Sequence, residues 1–302
     1  GVYPQGIRPV YELTFTDGTN VRCDIDHLWN VQTPVQKYRG QGFVTKSVRE
    51  LLGDLKQGSN TKWFIPVTEP MHFETSLLPL HPYLLGALLG DGGLTTGYAH
   101  ITKGNPDVIN KVRVLLPKGH WLQPVKDGAV TYRIKAENTN VVDQTIRRLG
   151  LVKRSIEKHI PAEYLYNSVE NRVKLLQGLM DTDGTVARHQ NKGKTACAQY
   201  STSSPYLARD VAFLVQSLGG IVVTSVKKAP KYKHKGETRT GQPNYVLHFN
   251  LPPDLVPFSS PDKASLYRPP VKYFPRRGIV SIDYVGDEPT QCILIDHPEH
   301  LY

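Results

Sequence analysis

Cysteine is scarce in this chain. Cys23, Cys197 and Cys292 are the three among 302 residues, and no two stand in a Cys-x-x-Cys spacing. That scarcity excludes a disulfide framework and a cysteine zinc cluster, and it fits a reducing compartment. Long apolar runs are missing too: none approaches the roughly 18–20 residues that a membrane-spanning helix needs. The opening Gly1-Val2-Tyr3-Pro4 lacks the basic and apolar segments of a secretory signal. Acids are outnumbered, with 27 Asp and Glu against 37 Lys and Arg, which leaves a formal charge of +10. Such a surplus points to a polyanionic partner, nucleic acid before membrane. The length sets an expectation of about two domains, with ample chain for a core.

What is present is a stretch that occurs twice. Leu84-Leu85-Gly86-Ala87-Leu88-Leu89-Gly90-Asp91-Gly92 is answered by Leu176-Gln177-Gly178-Leu179-Met180-Asp181-Thr182-Asp183-Gly184. Each is an apolar helical run with glycine at its third position and Asp-Gly at its end. Pro82 suits a first helical turn, and Ser168 with Glu170 beyond it reads as an N-cap. Gly92 and Gly184 read as left-handed helix stops. The first copy is apolar nearly all round and should be buried on more than one side. Gly86 and Gly178 each cost about 1 kcal/mol of helix propensity relative to Ala, which suggests close backbone approach between two helices. If these pack in parallel, Asp91 and Asp183 meet at one end. There the helix dipoles oppose each carboxylate by about 0.3–1 kcal/mol. Two carboxylates about 5 Å apart repel by about 3 kcal/mol at an effective dielectric near 20. A divalent cation on oxygen ligands reverses both effects.

Around these stretches lies an internal repeat spanning about 77–265. After each Asp-Gly come a short hairpin region, a capped helix and two more strands. Asn105-Pro106 and Ser204-Pro205 start helices over 106–115 and 205–218, an N-cap residue with proline behind it in both. The unit reads αββαββα, used twice. Half-sheets with one face on helices leave the other polar. On that face stand Thr131, Arg133 and Lys135 in one copy and Asn244, His248 and Asn250 in the other, residue types that read base edges in a major groove. Solvated sheets look alike in this respect. The segment 227–243 is more distinctive, carrying Lys227, Lys228, Lys231, Lys233, Lys235 and Arg239 against Glu237, with Tyr232 between them. It reads as a loop following a phosphate backbone.

The two ends of the chain are β-rich. Val10 to Phe15 meets Asn20 to Cys23 across Asp17-Gly18, a hairpin signal. Ile279–Gly286 and Gln291–Asp296 read as two late strands. The ends look like halves of one fold interrupted by the repeat.

The paired motifs resemble those of the LAGLIDADG homing endonucleases, and the flanks resemble the splicing (Hint) domain of an intein. That resemblance implies an α+β protein in which two pseudo-symmetric αββαββα repeats form a DNA-binding saddle. A β-rich Hint-like domain is built from both chain ends. The expected boundaries are 1–75 and 266–302 for the Hint-like parts, with 76–265 for the nuclease (repeats 77–165 and 166–265). It puts catalysis and metal ligation on Asp91 and Asp183, with Gly90 and Thr182 as further metal ligands. Lys158, in Lys158-His159-Ile160-Pro161, matches a block whose lysine lies near the active site as a charge stabiliser or water-orienting group. Lys263 is its counterpart in repeat two. Mg2+ is the expected ion, with Mn2+ as a substitute and Ca2+ supporting binding without turnover. His27 matches an intein histidine, with Asp24 where that block usually has Thr, and His300 matches a late one; both are read as splicing remnants. With Gly1 in place of Cys or Ser and no terminal His-Asn, splicing is expected to be impossible for this chain as given.

The implied function is a monomeric nuclease making a double-strand break in a long asymmetric DNA target, in the cytoplasm of a prokaryotic or phage-infected cell. Two alternatives belong to other classes. One is a protein-splicing element with an inactive nuclease, and the other a DNA- or RNA-binding maturase.

Overall fold

A computed structural model of the chain describes residues 1–188, 196–229, 231–234, 237–269 and 276–296. In chain order the first elements are β1 (Val2–Phe15), β2 (Asn20–Asp24), β3 (Leu28–Val31), α1 (Pro34–Tyr38), β4 (Val44–Ser47) and α2 (Val48–Leu51). Short strands β5 (Lys56–Gln57), β6 (Asn60–Thr61) and β7 (Phe64–Ile65) follow. Next come α3 (Pro82–Asp91), β8 (Gly92–Gly93), β9 (His100–Thr102), α4 (Pro106–Leu115), β10 (His120–Pro124), β11 (Thr131–Ala136), α5 (Val141–Arg148) and α6 (Ala162–Leu165). Then α7 (Val169–Asp183), β12 (Gly184–Arg188), β13 (Ala196–Thr202), α8 (Pro205–Ser217), β14 (Ile221–Lys227), β15 (Lys231–His234), β16 (Glu237–Thr240) and β17 (Asn244–Asn250) follow. The chain ends with α9 (Pro261–Ala264) and β18 (Arg277–Ile293). No helix among the described residues is long and apolar enough to cross a membrane. The chain divides into two units, Gly1–Val67 with Pro275–Tyr302, and Thr68–Phe274.

The first unit is built on a sheet of order β2-β1-β18-β7. β1 turns into β2 through Gly18, whose φ of 81° is the left-handed conformation a tight turn requires. The late strands expected over 279–286 and 291–296 are one strand. β18 pairs with β1 from Val2 opposite Ile293 to Phe15 opposite Ile279, and a bulge at Gly286 (φ 133°) absorbs the register slip without ending the ladder. β18 also pairs with β7, Arg277 opposite Ile65 and Gly278 opposite Phe64. Leu13, Phe15, Val31, Val48, Leu51, Trp63, Ile65 and Ile279 form the core. The His27 ring lies edge-on to Trp29, with centroids 5.3 Å apart, and burial pulls its pKa down.

The second unit is organised by α3 and α7. Every α3 residue from Pro82 to Leu89 is buried. The helices run side by side in parallel: a Cβ at Gly86 would lie 2.3 Å from the Leu175 carbonyl oxygen, and one at Gly178 would lie 2.2 Å from that of Tyr83. No side chain fits at either position, so the propensity cost of the two glycines is offset by backbone contact. Sheets of matching order flank the helix pair. β10-β11-β9-β8 in the first repeat corresponds strand for strand to β14-β17-β13-β12 in the second, all antiparallel. The helices α4 and α8 begin on Asn105 and Ser204, each with proline behind the cap. The segment 227–243 is not an irregular loop. It carries a two-stranded ribbon, Lys231 opposite Thr240 through His234 opposite Glu237, inserted between β14 and β17. Alternating Lys-Tyr-Lys-His against Glu-Thr-Arg-Thr suits a strand pair better than a coil.

Arg172 is fully buried in α7 with neutral acceptors around it. Its guanidinium donates to the carbonyls of Asn167, Ser217 and Met71 and to the Ser217 hydroxyl, and it stacks 4.8 Å from the Phe73 ring. That web fastens the segment leading into α3 to α7 and α8.

Candidate active site

α3 and α7 deliver Asp91 and Asp183 to one place. The two carboxyl groups lie close enough for the charge of Asp91 to act on Asp183, and a Cβ at Gly90 would fall 2.0 Å from the Thr182 hydroxyl and 3.5 Å from Asp183 Oδ2. Burial, followed by the charge of Asp91, raises the Asp183 pKa to about 6, against the pull of Lys158 and Lys103. Tyr200, fully buried on β13, feels both carboxylates, and its hydroxyl finds no hydrogen-bond partner among the described residues.

Gly92 and Gly184 are not left-handed stops. Both are extended, with φ of −86° and −84°, and each begins the strand after its helix. Glycine stands there because a Cβ would lie 2.2 Å from the Leu88 carbonyl oxygen at Gly92, and 2.6 Å from that of Met180 at Gly184. Without a left-handed cap the last carbonyls need other donors. Two lysines supply them. Lys158 Nζ donates to the carbonyls of Leu89 (2.8 Å), Gly90 (3.2 Å) and Gly92 (2.8 Å). Lys263 Nζ donates to those of Met180 (2.9 Å), Asp181 (2.9 Å) and Gly184 (2.7 Å). The two ammonium groups thus occupy matching places in the two repeats, which loose sequence spacing only hinted at. They also offset the negative helix ends, so the dipole cost expected for Asp91 and Asp183 is largely cancelled. Burial pulls the Lys158 pKa down, with Asp183 and Asp91 pulling it back up. Its backbone is fixed from the other repeat, where Ser204 Oγ donates to the Lys158 carbonyl (2.6 Å) and the Ile160 amide donates to Asp210 (2.9 Å).

With all three protons of each ammonium on backbone carbonyls, these lysines hold helix ends in shape. Replacing Lys158 by Met strips the donor from three carbonyls, and we expect a loss of about 2 kcal/mol, read as a lower denaturant midpoint. A variant as stable as the parent would show that these hydrogen bonds carry no weight.

Two residues at the site were not legible in the sequence. Lys103, just past β9, donates from Nζ to Asp91 Oδ2 (2.8 Å) and to the Thr182 carbonyl (2.7 Å). Its position follows no periodicity. Asp181, where the first copy has Leu89, is fully buried. Its carboxylate accepts from Tyr83 Oη (2.8 Å), the Ser259 amide and hydroxyl (3.0 and 2.5 Å) and the Ser260 amide (3.1 Å). The odd acid in an otherwise apolar stretch was the one available signal. Asp181 pins the segment before α9, and so carries Lys263 to the end of α7.

Arg133 and Lys135 are exposed on one sheet face, opposite Gln123 and Trp121, with His100 beyond Arg133. His248 is exposed and bonded to Gln199 (3.0 Å), but Asn244 and Asn250 are half-buried and their neighbour on that face, Val246, is buried. The polar face is therefore narrower in repeat two than expected. Lys227, Lys228 and Lys231 are exposed. Lys233 and Arg239 belong to the ribbon by their backbone, while Lys235 and His300 lie outside the described residues.

The set Asp91, Asp183 and the carbonyls of Gly90 and Thr182 is all oxygen, which suits a hard divalent cation. The raised pKa of Asp183 beside Asp91 marks a repulsion that a divalent cation would relieve. The residues fit such an ion.

Residues 170–248 match the family described as LAGLIDADG-like domain. Among characterised proteins the chain is similar to replicative DNA helicases DnaB. With that of Mycobacterium intracellulare it shares 28% identity over 316 residues, 98% of this chain and 48% of the helicase. With that of Rhodothermus marinus the identity is 28%, over 71% of this chain and 22% of the helicase. The chain thus spans half or less of these relatives' length. Among solved structures it matches mesophilic variants of the homing endonuclease I-DmoI (16% identity, TM-score 0.35, 62% of this chain and 96% of that one). It also matches the homing endonuclease I-WcaI bound to its DNA recognition sequence (16%, TM-score 0.32, 58% and 77%).

Proposed function

We propose that this chain is a site-specific DNA endonuclease of the LAGLIDADG type, cutting both strands of a long asymmetric duplex with the help of divalent cations. The observation that carries this reading is the pair Asp91 and Asp183, brought into contact at the shared end of two glycine-packed helices. The LAGLIDADG-like match over 170–248 supports it. We further propose that the two matching sheets form a saddle on the duplex and that the protein acts as a monomer.

Asp91 and Asp183, with the carbonyls of Gly90 and Thr182, would hold Mg2+, which supplies Lewis-acid polarisation of phosphate oxygens and a lowered pKa for coordinated water. The rest falls to the chain. Lys158 and Lys263 fix the helix ends so that each carboxylate faces inward at a constant distance. Leu88, Leu89 and Met180, in the last turns of the two helices, are buried. One carboxylate per strand gives two cuts from one bound state.

In the similar helicases, the match over part of their length supports reading this chain as an insertion of the intein kind, with the first unit as its Hint-like part. The target would then be the helicase coding sequence uninterrupted at the insertion point. A supercoiled plasmid carrying that sequence should be linearised in Mg2+ by the full chain. Binding without cutting would favour the maturase reading instead.

DNA binding should be steep in salt. Lys231, Lys233 and Lys235 changed together to Ala should weaken all duplexes alike. The slope of log K against log salt should flatten by about 0.9 for each phosphate that is no longer neutralised. Arg133→Ala should instead relax preference at one or two base pairs by about 1–3 kcal/mol. An unchanged slope in the triple variant would take the ribbon off the DNA.

A further inference from the structure

The two halves of the carboxylate pair are not equivalent, and the difference is one side chain. Lys103 stands two residues before the cap of α4; the residue two before the cap of α8 is Thr202. The second repeat therefore carries threonine, not lysine, at that position. Lys103 reaches across from the first repeat, holding Asp91 Oδ2 at 2.8 Å and the α7 carbonyl of Thr182 at 2.7 Å. Those are two of the four oxygens assigned to the divalent ion. Among the described residues the other ammonium groups at the site, Lys158 and Lys263, donate to backbone carbonyls alone: of the four assigned oxygens Lys158 takes one, the Gly90 carbonyl at 3.2 Å, and Lys263 none. Among the described residues Asp91 has a direct ionic partner and Asp183 has none.

We infer that Lys103 is a positioning residue serving the Asp91 half as a resident counter-ion, so that the two halves take divalent cations unequally. This rests on the nuclease reading above. An ammonium and a metal ion cannot share the same two oxygens: Ca2+ sits about 2.3–2.6 Å from its ligands, close enough to an ammonium on those oxygens for strong repulsion. The Asp183 half fills first. The Asp91 half fills once Lys103 swings away, and the order carries over to the two strands, so that nicked circles accumulate before linear product.

The test is a calorimetric titration of the full chain with Ca2+ alone, beside melting curves with and without Ca2+. The parent should show two classes of site. Lys103→Met should tighten the weaker class at least tenfold, melt lower than the parent without Ca2+, and regain that difference in saturating Ca2+. Lys103→Arg, which keeps the charge, should restore the unequal classes. A Lys103→Met protein with both classes unchanged, melting lower by the same amount with and without Ca2+, would reduce Lys103 to a structural contact and overturn the inference. If the parent binds no Ca2+, this inference and the metal-dependent nuclease fall together. If the classes and their shift appear but no target is cut, the role of Lys103 stands and the nuclease reading alone is overturned.

Discussion

Asp183→Asn should melt higher than the parent at pH 7.5 in chelator, and should cut no DNA. Its carboxyl has a pKa raised from 3.8 to about 6, first by burial and then by Asp91. Between about pH 4 and 6 the folded protein holds a proton that the unfolded chain has released. Stability therefore falls as pH rises through that window, and the full penalty is felt above it. A shift of about two units corresponds to at most about 3 kcal/mol, and local relaxation lowers the expected gain in the Asn variant to about 1–2 kcal/mol. For a unit of this size that is about 3–6 °C. Near pH 3.5 the gain should vanish. Asp91→Asn should gain less or nothing, because it gives up the ion pair with Lys103. Plasmid linearisation should drop at least about a thousandfold in Asp183→Asn, the several kcal/mol expected of a metal-holding group, while target binding persists. A variant that melts lower in chelator at neutral pH and still linearises the plasmid would remove Asp183 from the chemistry.

Gly86→Ala should be strongly damaging for a single added methyl. The added carbon would meet the Leu175 carbonyl oxygen at 2.3 Å and the Leu179 amide nitrogen at 3.0 Å, both backbone. Neither atom can rotate aside, so α3 and α7 must separate along their shared face. Overpacking a close-packed core costs about 1–3 kcal/mol, and a backbone clash belongs at or above the top of that range, so we expect about 3 kcal/mol or more. The same separation parts Asp91 from Asp183 and should abolish cleavage in whatever fraction still folds. Chemical denaturation measures the first effect and linearisation the second. An alanine variant as stable as the parent would show that the helices do not touch there.

Glycine-bearing runs, capped helices and the order of strands were legible because each leaves a local mark: a period, a proline behind a cap residue, an Asp-Gly turn. The two closing glycines show where that legibility ends. A glycine that permits positive φ and one that makes room for a neighbouring carbonyl are the same letter, and Gly92 and Gly184 are of the second kind. Lys158 and Lys263 stand out in the sequence, but what their ammonium groups do does not. Hydrogen bonds to carbonyls some 70 or 80 residues away have no periodic signature. Lys103 is silent for the same reason, since nothing in Thr102-Lys103-Gly104 separates a carboxylate partner from a solvated side chain. The ribbon at 231–240 is hidden by its charge, which marks exposure whether the backbone is coil or strand.

The pairing of β7 with β18 has a topological consequence. Phe64 and Ile65 lie opposite Gly278 and Arg277, so the chain leaves the first unit and returns to it on adjacent strands. To that sheet, everything from Thr68 to Phe274 is the connection of a hairpin. Each doubling of a connection adds only about 0.6 kcal/mol of closure entropy, so lengthening a turn of about four residues to about two hundred costs about 3–4 kcal/mol at most. An insert that is itself folded holds its own ends and costs less. The ladder between Val2 and Ile293 is thus indifferent to what the hairpin carries, and a cargo of any size can be gained or lost there without a single pair of the sheet changing its register.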